Sequence, residues 1–526
     1  MSERVIRVGG VVAAELRVLG VEVVFGIPGV HTIELYRGLA REGIRAITPR
    51  HEQGAGFMAD GYARVAGRPG VCVLITGPGV TNALTPLAQA WHDSVPVLVV
   101  ASTTERRFLG RGRGPLHDLP DQAGLVRTLG VSSETVLEPA AVAEALRRAW
   151  AAMRDGRPRP AHVAIPVDVL AELGVPPSGG GMPAPAPRPP AVEDVERAAA
   201  LLAGARRPAV LLGGGAAGAG AAALAVAERL DAPVALTGNA KGAVPSSHPL
   251  VLGVTLPFAP VHQLLANADA VLLVGTELSE VETLYSGREL RFHGRVVRVD
   301  IDPRQIDAGV AADVGIVADA GLALEALAAV LDPRAANGRE RVAAARSALD
   351  WSADSRAHFP WLDALDAALP ADRIVAVDST QLAYTAQLYL PAERPRSWLA
   401  PYGLGTLGPA LPMAIGAKVA APDRPVVAIA GDGGVLFTIA ELGTAADLGL
   451  NLPVVVWDNA GYGEIRDAFD RAGAPRLGVD VTVHDLLGVA AGFGCATAEA
   501  RSPEALTAAV RAALDEDRPT VIRIRP

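Results

Sequence analysis

Val426-Val427-Ala428-Ile429-Ala430-Gly431-Asp432-Gly433-Gly434 is the stretch on which the fold turns. An apolar run this short fits a strand buried on both faces of a parallel sheet. It stops at glycines, and an amphipathic helical pattern follows over 436–448. Glycines at a strand-to-helix turn let the backbone approach an anion, which the helix N-terminus then favours through its free N–H groups and dipole. Asp432 sits in that turn. The next apolar run, 452–457, ends at Asp458-Asn459-Ala460-Gly461. Asp432 and Asn459 are one helix and one strand apart, so both can lie at the carboxyl edge of adjacent parallel strands. One carboxylate, one amide oxygen, a backbone carbonyl and phosphate oxygens make an all-oxygen shell suited to Mg²⁺. Gly-Asp-Gly alone would serve equally as a helix-capping turn; the second segment narrows the reading to a metal and diphosphate site.

Outward from this stretch the same rhythm repeats. Runs at 71–76, 95–101, 209–212, 270–274, 296–301 and 374–377 read as buried strands separated by helical patterns. That alternation predicts an α/β protein with doubly wound parallel sheets. A Pro/Gly-rich stretch at 175–190 reads as a linker, and a softer boundary lies around 333–361. The expected domains are 1–174, 191–335 and 356–526, about 170, 145 and 170 residues long, each a normal size for one α/β unit. The 526 residues include 50% hydrophobic and 20% charged residues, a globular composition. The net charge of −9 comes without a basic cluster, so neither nucleic acid nor an anionic membrane is an expected partner. No apolar run is long enough to span a bilayer, and the N-terminus lacks a signal-peptide pattern. Cys72 and Cys495 read as buried core thiols, and a cytoplasmic location is expected.

Two further segments carry chemistry. Gly403-Leu404-Gly405-Thr406-Leu407-Gly408 is a glycine-rich turn in which Gly405 offers an unencumbered carbonyl and Leu407 can wedge under a flat ligand. Near the N-terminus, Arg50-His51-Glu52-Gln53-Gly54-Ala55-Gly56 places one carboxylate at the start of a helical pattern over 52–65. Helix-start carboxylates are common for dipole reasons alone. A lone carboxylate far along the chain from a diphosphate and metal site suggests instead a long cofactor held at both ends. Gly77-Pro78-Gly79-Val80-Thr81-Asn82 adds another strand-to-helix turn on the same sheet edge.

In this order, these residues resemble the thiamine-diphosphate enzymes of the acetolactate synthase, pyruvate decarboxylase and benzoylformate decarboxylase superfamily. The resemblance covers essentially the whole chain. It also includes Phe25-Gly26-Ile27-Pro28-Gly29, Ala59-Asp60-Gly61-Tyr62-Ala63-Arg64 and Asp300-Ile301-Asp302-Pro303. Residues 26–39 (GIPGVHTIELYRGL), 51–63 and Gly461-Tyr462-Gly463-Glu464-Ile465-Arg466 look most like the 5-guanidino-2-oxopentanoate decarboxylases. The resemblance implies three domains: pyrimidine-binding, central Rossmann-like and diphosphate-binding. It implies that Glu52 bonds the pyrimidine and promotes its imino tautomer. Gly405 would accept from the 4′-amino group, and Leu407 would hold the bent cofactor. Asp432, Asn459 and the backbone oxygen of Gly461 would ligate Mg²⁺, with Gly433, Gly434, Tyr462 and Gly463 lining the diphosphate. It implies a 2-oxo acid substrate and a homodimer or homotetramer with active sites at the dimer interface.

Departures from the family pattern bear on the outcome. Val30 stands where benzoylformate decarboxylases carry a serine and pyruvate decarboxylases an aspartate, and it cannot act as acid or base. The His-His pair of pyruvate decarboxylases is missing; His31 and His117 are the nearest candidates. His117 can shuttle protons or be a solvated loop residue. Glu464 can meet a cationic substrate tail and Arg466 a carboxylate, or both can be ordinary helix charges. Leu211-Leu212-Gly213-Gly214-Gly215 suggests a dinucleotide turn, but Thr276-Glu277-Leu278-Ser279 replaces the arginine-containing stretch with which acetolactate synthases hold FAD, so no FAD, or a vestigial site, is expected. The expected activity is non-oxidative decarboxylation of a long-tailed 2-oxo acid to an aldehyde. The alternatives are an acetolactate synthase-type carboligase and, in another class, a non-catalytic nucleotide-binding protein.

Overall fold

The computed structural model describes residues 5–177, 185–283, 287–481 and 483–526. Part of the linker at 175–190 therefore lies outside the described residues. Three six-stranded sheets, parallel throughout, follow one another along the chain. The first runs, in spatial order, Arg45–Ile47, Val23–Phe25, Gly70–Leu74, Val97–Thr103, Ala161–Pro166 and Ser132–Thr135. The third runs Trp398–Leu399, Ile374–Val377, Val426–Gly431, Pro453–Trp457, Thr520–Ile524 and Ala496–Ala500. Numbered within each sheet, both have the order 2-1-3-4-6-5. The central sheet, with strands from Pro208–Leu212 to Val314–Val317, has the order 3-2-1-4-5-6 of a dinucleotide-binding fold. The strands read as buried from the sequence are buried: all five residues of Gly70–Leu74, Ala270–Val274 and Pro453–Trp457 are inaccessible.

One expectation is corrected. The helical pattern at 436–448 is not one helix. The chain turns helical at Asp432–Val435, breaks, and resumes at Glu441–Asp447. The break exists because residues 436–440 wrap around the glycine-rich turn: the Thr438 hydroxyl donates to the Gly408 carbonyl at 2.6 Å.

The first and third sheets share one apolar core. Its centre is the crossing of helix Glu52–Ala66 with helix Ala410–Ala420, where Met58, Met413 and Ile415 are fully buried. A Cβ on Gly61 would overlap the Met413 carbonyl and one on Gly416 the Met58 carbonyl, so the two helices meet backbone to backbone.

A buried polar network ties all three sheets together at the end of this crossing. Arg64 donates to Asp60 at 2.6 Å, to Asp93 at 2.8 Å and to Asn239 at 3.3 Å. Asp93 also accepts from the Gly403 backbone N–H at 3.0 Å, and Gln89 accepts from that of Leu404 at 3.0 Å. The side chains of Asp60 and Asp93 are 0% and 2% exposed, so Arg64→Met would strand two buried carboxylates. Removing one partner of a buried ion pair costs about 3–5 kcal/mol. The Arg64→Met protein should show a urea midpoint lowered by that amount of stability, and an unchanged midpoint would refute the assigned linkage.

Candidate active site

The N-terminal half of the site is built on the first sheet. His51 is the extended N-cap of helix Glu52–Ala66, and its Nδ1 accepts from the Gln53 N–H at 3.1 Å. Glu52 follows as the first helical residue and is buried. Its Oε2 accepts from Asn82 Nδ2 at 2.9 Å. Asn82 ends helix Pro78–Asn82, which opens directly from the Gly77 turn, and Gly79 packs against the other Glu52 oxygen. The turn before Glu52 is held from the third sheet. The buried Glu441 carboxylate accepts the backbone N–H groups of Arg50 at 3.1 Å and His51 at 3.0 Å.

At the Gly77 turn the two separated histidines meet. The rings of His31 and His117 stand edge to face with centroids 5.3 Å apart. His31 Nδ1 lies 3.1 Å from the Thr76 hydroxyl, which donates to Ser102 at 2.9 Å. Burial, and then the neighbouring His117, push the His31 imidazole below its ordinary pKa, against a smaller opposing effect of Glu105. His117 holds φ +65°, a left-handed conformation, with its carbonyl packed on Gly77.

The C-terminal half is built on the third sheet. Asp432 opens its helix immediately after strand Val426–Gly431 and is 2% exposed. Its Oδ2 accepts from the Gly461 N–H at 2.7 Å. Burial raises its pKa to about 6. Asn459 and Gly461 follow strand Pro453–Trp457, with Ala460 and Gly461 both at positive φ. The Asn459 Nδ2 donates to Gln381 Oε1 at 3.0 Å. Its Oδ1 position consequently lies 2.9 Å from the Gly461 carbonyl oxygen and 3.3 Å from Asp432 Oδ1. Three acceptors converge with no proton among them. Rotating the Asn459 amide would relieve this but would set its oxygen against Gln381 Oε1. Gln381 is itself fixed, because its Nε2 donates to Asp467 at 2.6 Å. Three oxygens that repel one another yet are held together fit a hard divalent cation. Among the described residues no cluster of three or more His, Cys, Asp or Glu side chains could hold a metal; the three oxygens gathered here come from a single carboxylate, an amide and a backbone carbonyl.

Around these oxygens, a Cβ on Gly433 would touch the Tyr462 ring, and one on Gly434 would press on Asp378. Asp378 is fully buried and accepts from the Gly408 and Ser379 N–H groups at 3.0 and 2.8 Å. Burial pushes its pKa to about 7. A carboxyl whose pKa is raised on folding stabilises the fold fully at low pH and loses that contribution as pH rises through the folded value. Asp378→Asn in the cofactor-free protein should therefore lose less stability than wild type between pH 4 and 7, read as paired urea midpoints; parallel curves would contradict this.

Gly405, at φ +59°, turns its carbonyl to the Ser379 hydroxyl at 3.1 Å, and Leu407 is half-buried beside it. Gly463 starts helix Gly463–Arg471. Glu464 lies in its first turn and pairs with Arg471 at 3.0 Å, while Arg466 donates to the Asn459 carbonyl and reaches Asp480 at 3.5 Å. Arg466 thus buttresses the loop that carries Asn459. No hydrogen bond or ion pair among the described residues joins Glu52 or Asn82 to Asp432, Asn459 or Gly461. The sequence reading assigned no role to Asn82, Gln381, Asp378 or Asp467. Asn82 and Gln381 carry a signal, since each lies at a strand-to-helix connection on the carboxyl edge of the sheets.

Residues 6–125 match the N-terminal TPP binding domain of the thiamine pyrophosphate enzymes, residues 195–327 their central domain and residues 378–524 their C-terminal TPP binding domain. The chain is a thiamine pyrophosphate enzyme. It is 42% identical to a probable 2-ketoarginine decarboxylase, AruI, of Pseudomonas aeruginosa over 96% of this chain and 91% of that protein. It is 30% identical to the acetolactate synthase isozyme 1 large subunit of Escherichia coli over 96% of this chain and 91% of that one. A probable acetolactate synthase large subunit of Methanococcus aeolicus is 29% identical, over 95% and 89%. Among the described residues, no helix of this thiamine pyrophosphate enzyme is long and apolar enough to cross a membrane.

Proposed function

We propose that this enzyme decarboxylates a 2-oxo acid with a long cationic tail, of the 5-guanidino-2-oxopentanoate type, to an aldehyde and CO₂. The observation that carries the reading is the set of three converging oxygens on Asp432, Asn459 and Gly461 at a glycine turn, matched by the part-buried Glu52–Asn82 pair beside another sheet. The relative named as a 2-ketoarginine decarboxylase favours this substrate class over pyruvate. Bound thiamine diphosphate supplies an electron sink for the carbon that loses CO₂.

The chain's own residues divide the remaining work. Asp432, Asn459 and the Gly461 carbonyl would hold Mg²⁺, while the N–H groups of Gly433 and Gly434, with Tyr462 and Gly463 beside them, would receive the diphosphate. Gly405 would accept from the pyrimidine amino group and Leu407 would pack against the cofactor. Glu52, steadied by Asn82, would be the group that exchanges a proton with the pyrimidine ring. His117, with His31 against it, delivers the proton that completes the aldehyde. Glu464 faces the cationic tail, exchanging its Arg471 partner for it. Within one chain Glu441 joins the Arg50–His51 turn to the third sheet, but no hydrogen bond or ion pair among the described residues links Glu52 or Asn82 to Asp432, Asn459 or Gly461, and a homodimer would bring the Glu52 of one copy to the Asp432 of the other. The folding domains are 1–174, 191–335 and 356–526, and the enzyme works in the cytoplasm.

The central sheet borders a cavity of about 750 Å³ lined by Gly214, Gly215, Thr276 and Asp300. In it Glu277 pairs with Arg157, and Glu282 takes the Thr276 hydroxyl and the Ser279 N–H. FAD is not proposed here, and purified enzyme should lack the visible absorption of an oxidised flavin.

Product analysis tests the function. Purified enzyme with thiamine diphosphate and Mg²⁺ should convert 5-guanidino-2-oxopentanoate to its aldehyde and leave pyruvate largely untouched. Accumulation of acetolactate from pyruvate would move the enzyme to the carboligases.

A further inference from the structure

The orientation of the Asn459 amide is decided by residues outside the ligand set. An ionised carboxylate can only accept hydrogen bonds. Asp467 therefore requires the NH₂ of Gln381, whose Nε2 donates to it at 2.6 Å. Gln381 is left with its oxygen toward Asn459, which answers with Nδ2 at 3.0 Å. Asn459 is left with its oxygen toward Asp432 and Gly461. The polarity of each amide is dictated by the one before it, and the chain of dictation starts at Asp467.

The relay joins three elements. Gln381 opens helix Gln381–Tyr389, Asn459 lies in the loop after strand Pro453–Trp457, and Asp467 sits in helix Gly463–Arg471. Gly463 makes room for it, since a Cβ there would overlap Asn459 Nδ2 and come within 2.8 Å of Gln381 Oε1. The reverse polarity would be self-satisfied: an Asn459 NH₂ facing Asp432 and Gly461 would close the oxygen cluster with hydrogen bonds and leave nothing for a cation.

We propose that Asp467 is a positioning residue that sets the polarity of the Gln381–Asn459 relay and so keeps the cation site open to metal. This rests on the reading of Asp432, Asn459 and Gly461 as the cation ligands. Partners of this kind are worth about 10–100-fold in metal affinity.

The test is Mn²⁺ binding, followed by electron paramagnetic resonance of the free ion, on full-length protein with saturating thiamine diphosphate. Asp467→Asn keeps the shape but supplies a donor, so Gln381 and Asn459 can both reverse. Its Mn²⁺ affinity should fall about 10–100-fold with an unchanged thermal midpoint. The double variant Asp467→Asn/Gln381→Glu has the same net charge as wild type and restores a group at 381 that accepts from both neighbours. It should recover most of the lost affinity, which a merely structural role for Asp467 does not explain. Wild-type affinity in Asp467→Asn, or a double variant no tighter than the single one, would overturn the proposal. A wild-type protein that takes up no Mn²⁺ would overturn the ligand reading itself, and this inference with it.

Discussion

Glu52→Gln should fold, bind thiamine diphosphate and Mg²⁺ with near wild-type affinity, and lose turnover by about 10²–10⁴-fold, the usual scale of a positioned proton-transfer group. Glutamine keeps an oxygen for the Asn82 amide, so the 2.9 Å contact that steadies position 52 survives. The helix start is also retained, because the Arg50–His51 turn is pinned by Glu441 and not by Glu52 itself. What disappears is a group able to gain and lose a proton against the cofactor ring. Two measurements separate this from a folding defect: calorimetric affinity for thiamine diphosphate, and exchange of the C2 proton of bound cofactor into deuterium oxide. Wild-type exchange and turnover would remove Glu52 from the mechanism.

Asp432→Ala should have the largest effect on binding. It deletes the only carboxylate in the oxygen cluster, and it frees the Gly461 N–H that Oδ2 receives at 2.7 Å. Asn459 and the Gly461 carbonyl then face each other without a charge to hold a cation between them. The loss of Mg²⁺-dependent cofactor affinity should be about 100-fold or more, beyond what a positioning partner of a ligand contributes. Because Asp432 is buried and pairs with no cationic side chain among the described residues, relief of its burial should offset the loss of the Gly461 bond and leave stability without metal little changed. Calorimetry with and without Mg²⁺ gives the first quantity and a urea titration the second. Retained Mg²⁺-dependent binding would show that the cation sits elsewhere.

Much of this is legible in the sequence. The strands at 71–76, 270–274 and 426–430 announced themselves as short, uninterrupted apolar runs, and the glycines ending them marked the carboxyl edge where Asp432, Asn459 and Gly405 lie. The 436–448 segment misled because its apolar period continues across a break, and the break is imposed by Gly408 and Thr438 from separate elements. Asn82 was visible as part of a glycine turn, but its use was not, since the bond to Glu52 crosses between two helices. The approach of His31 to His117 likewise joins separate segments, His31 bonded to Thr76 and His117 packed on Gly77, and no spacing encodes it. The polar relay from Asp467 through Gln381 is the hardest case: helix-surface aspartates and helix-start glutamines are individually ordinary, and only their alignment on Asn459 gives them meaning.

The central claim is that Glu52 of one copy works with Asp432 of another. Co-expression of the Glu52→Gln and Asp432→Ala chains under different tags, followed by isolation of the mixed species, tests it most directly. Each mixed dimer would carry one site with both substitutions and one intact site, so tandem-purified dimers should regain roughly half of wild-type activity per dimer although both parents are inactive. Mixed dimers no more active than their parents would mean that both halves of the site belong to the same chain.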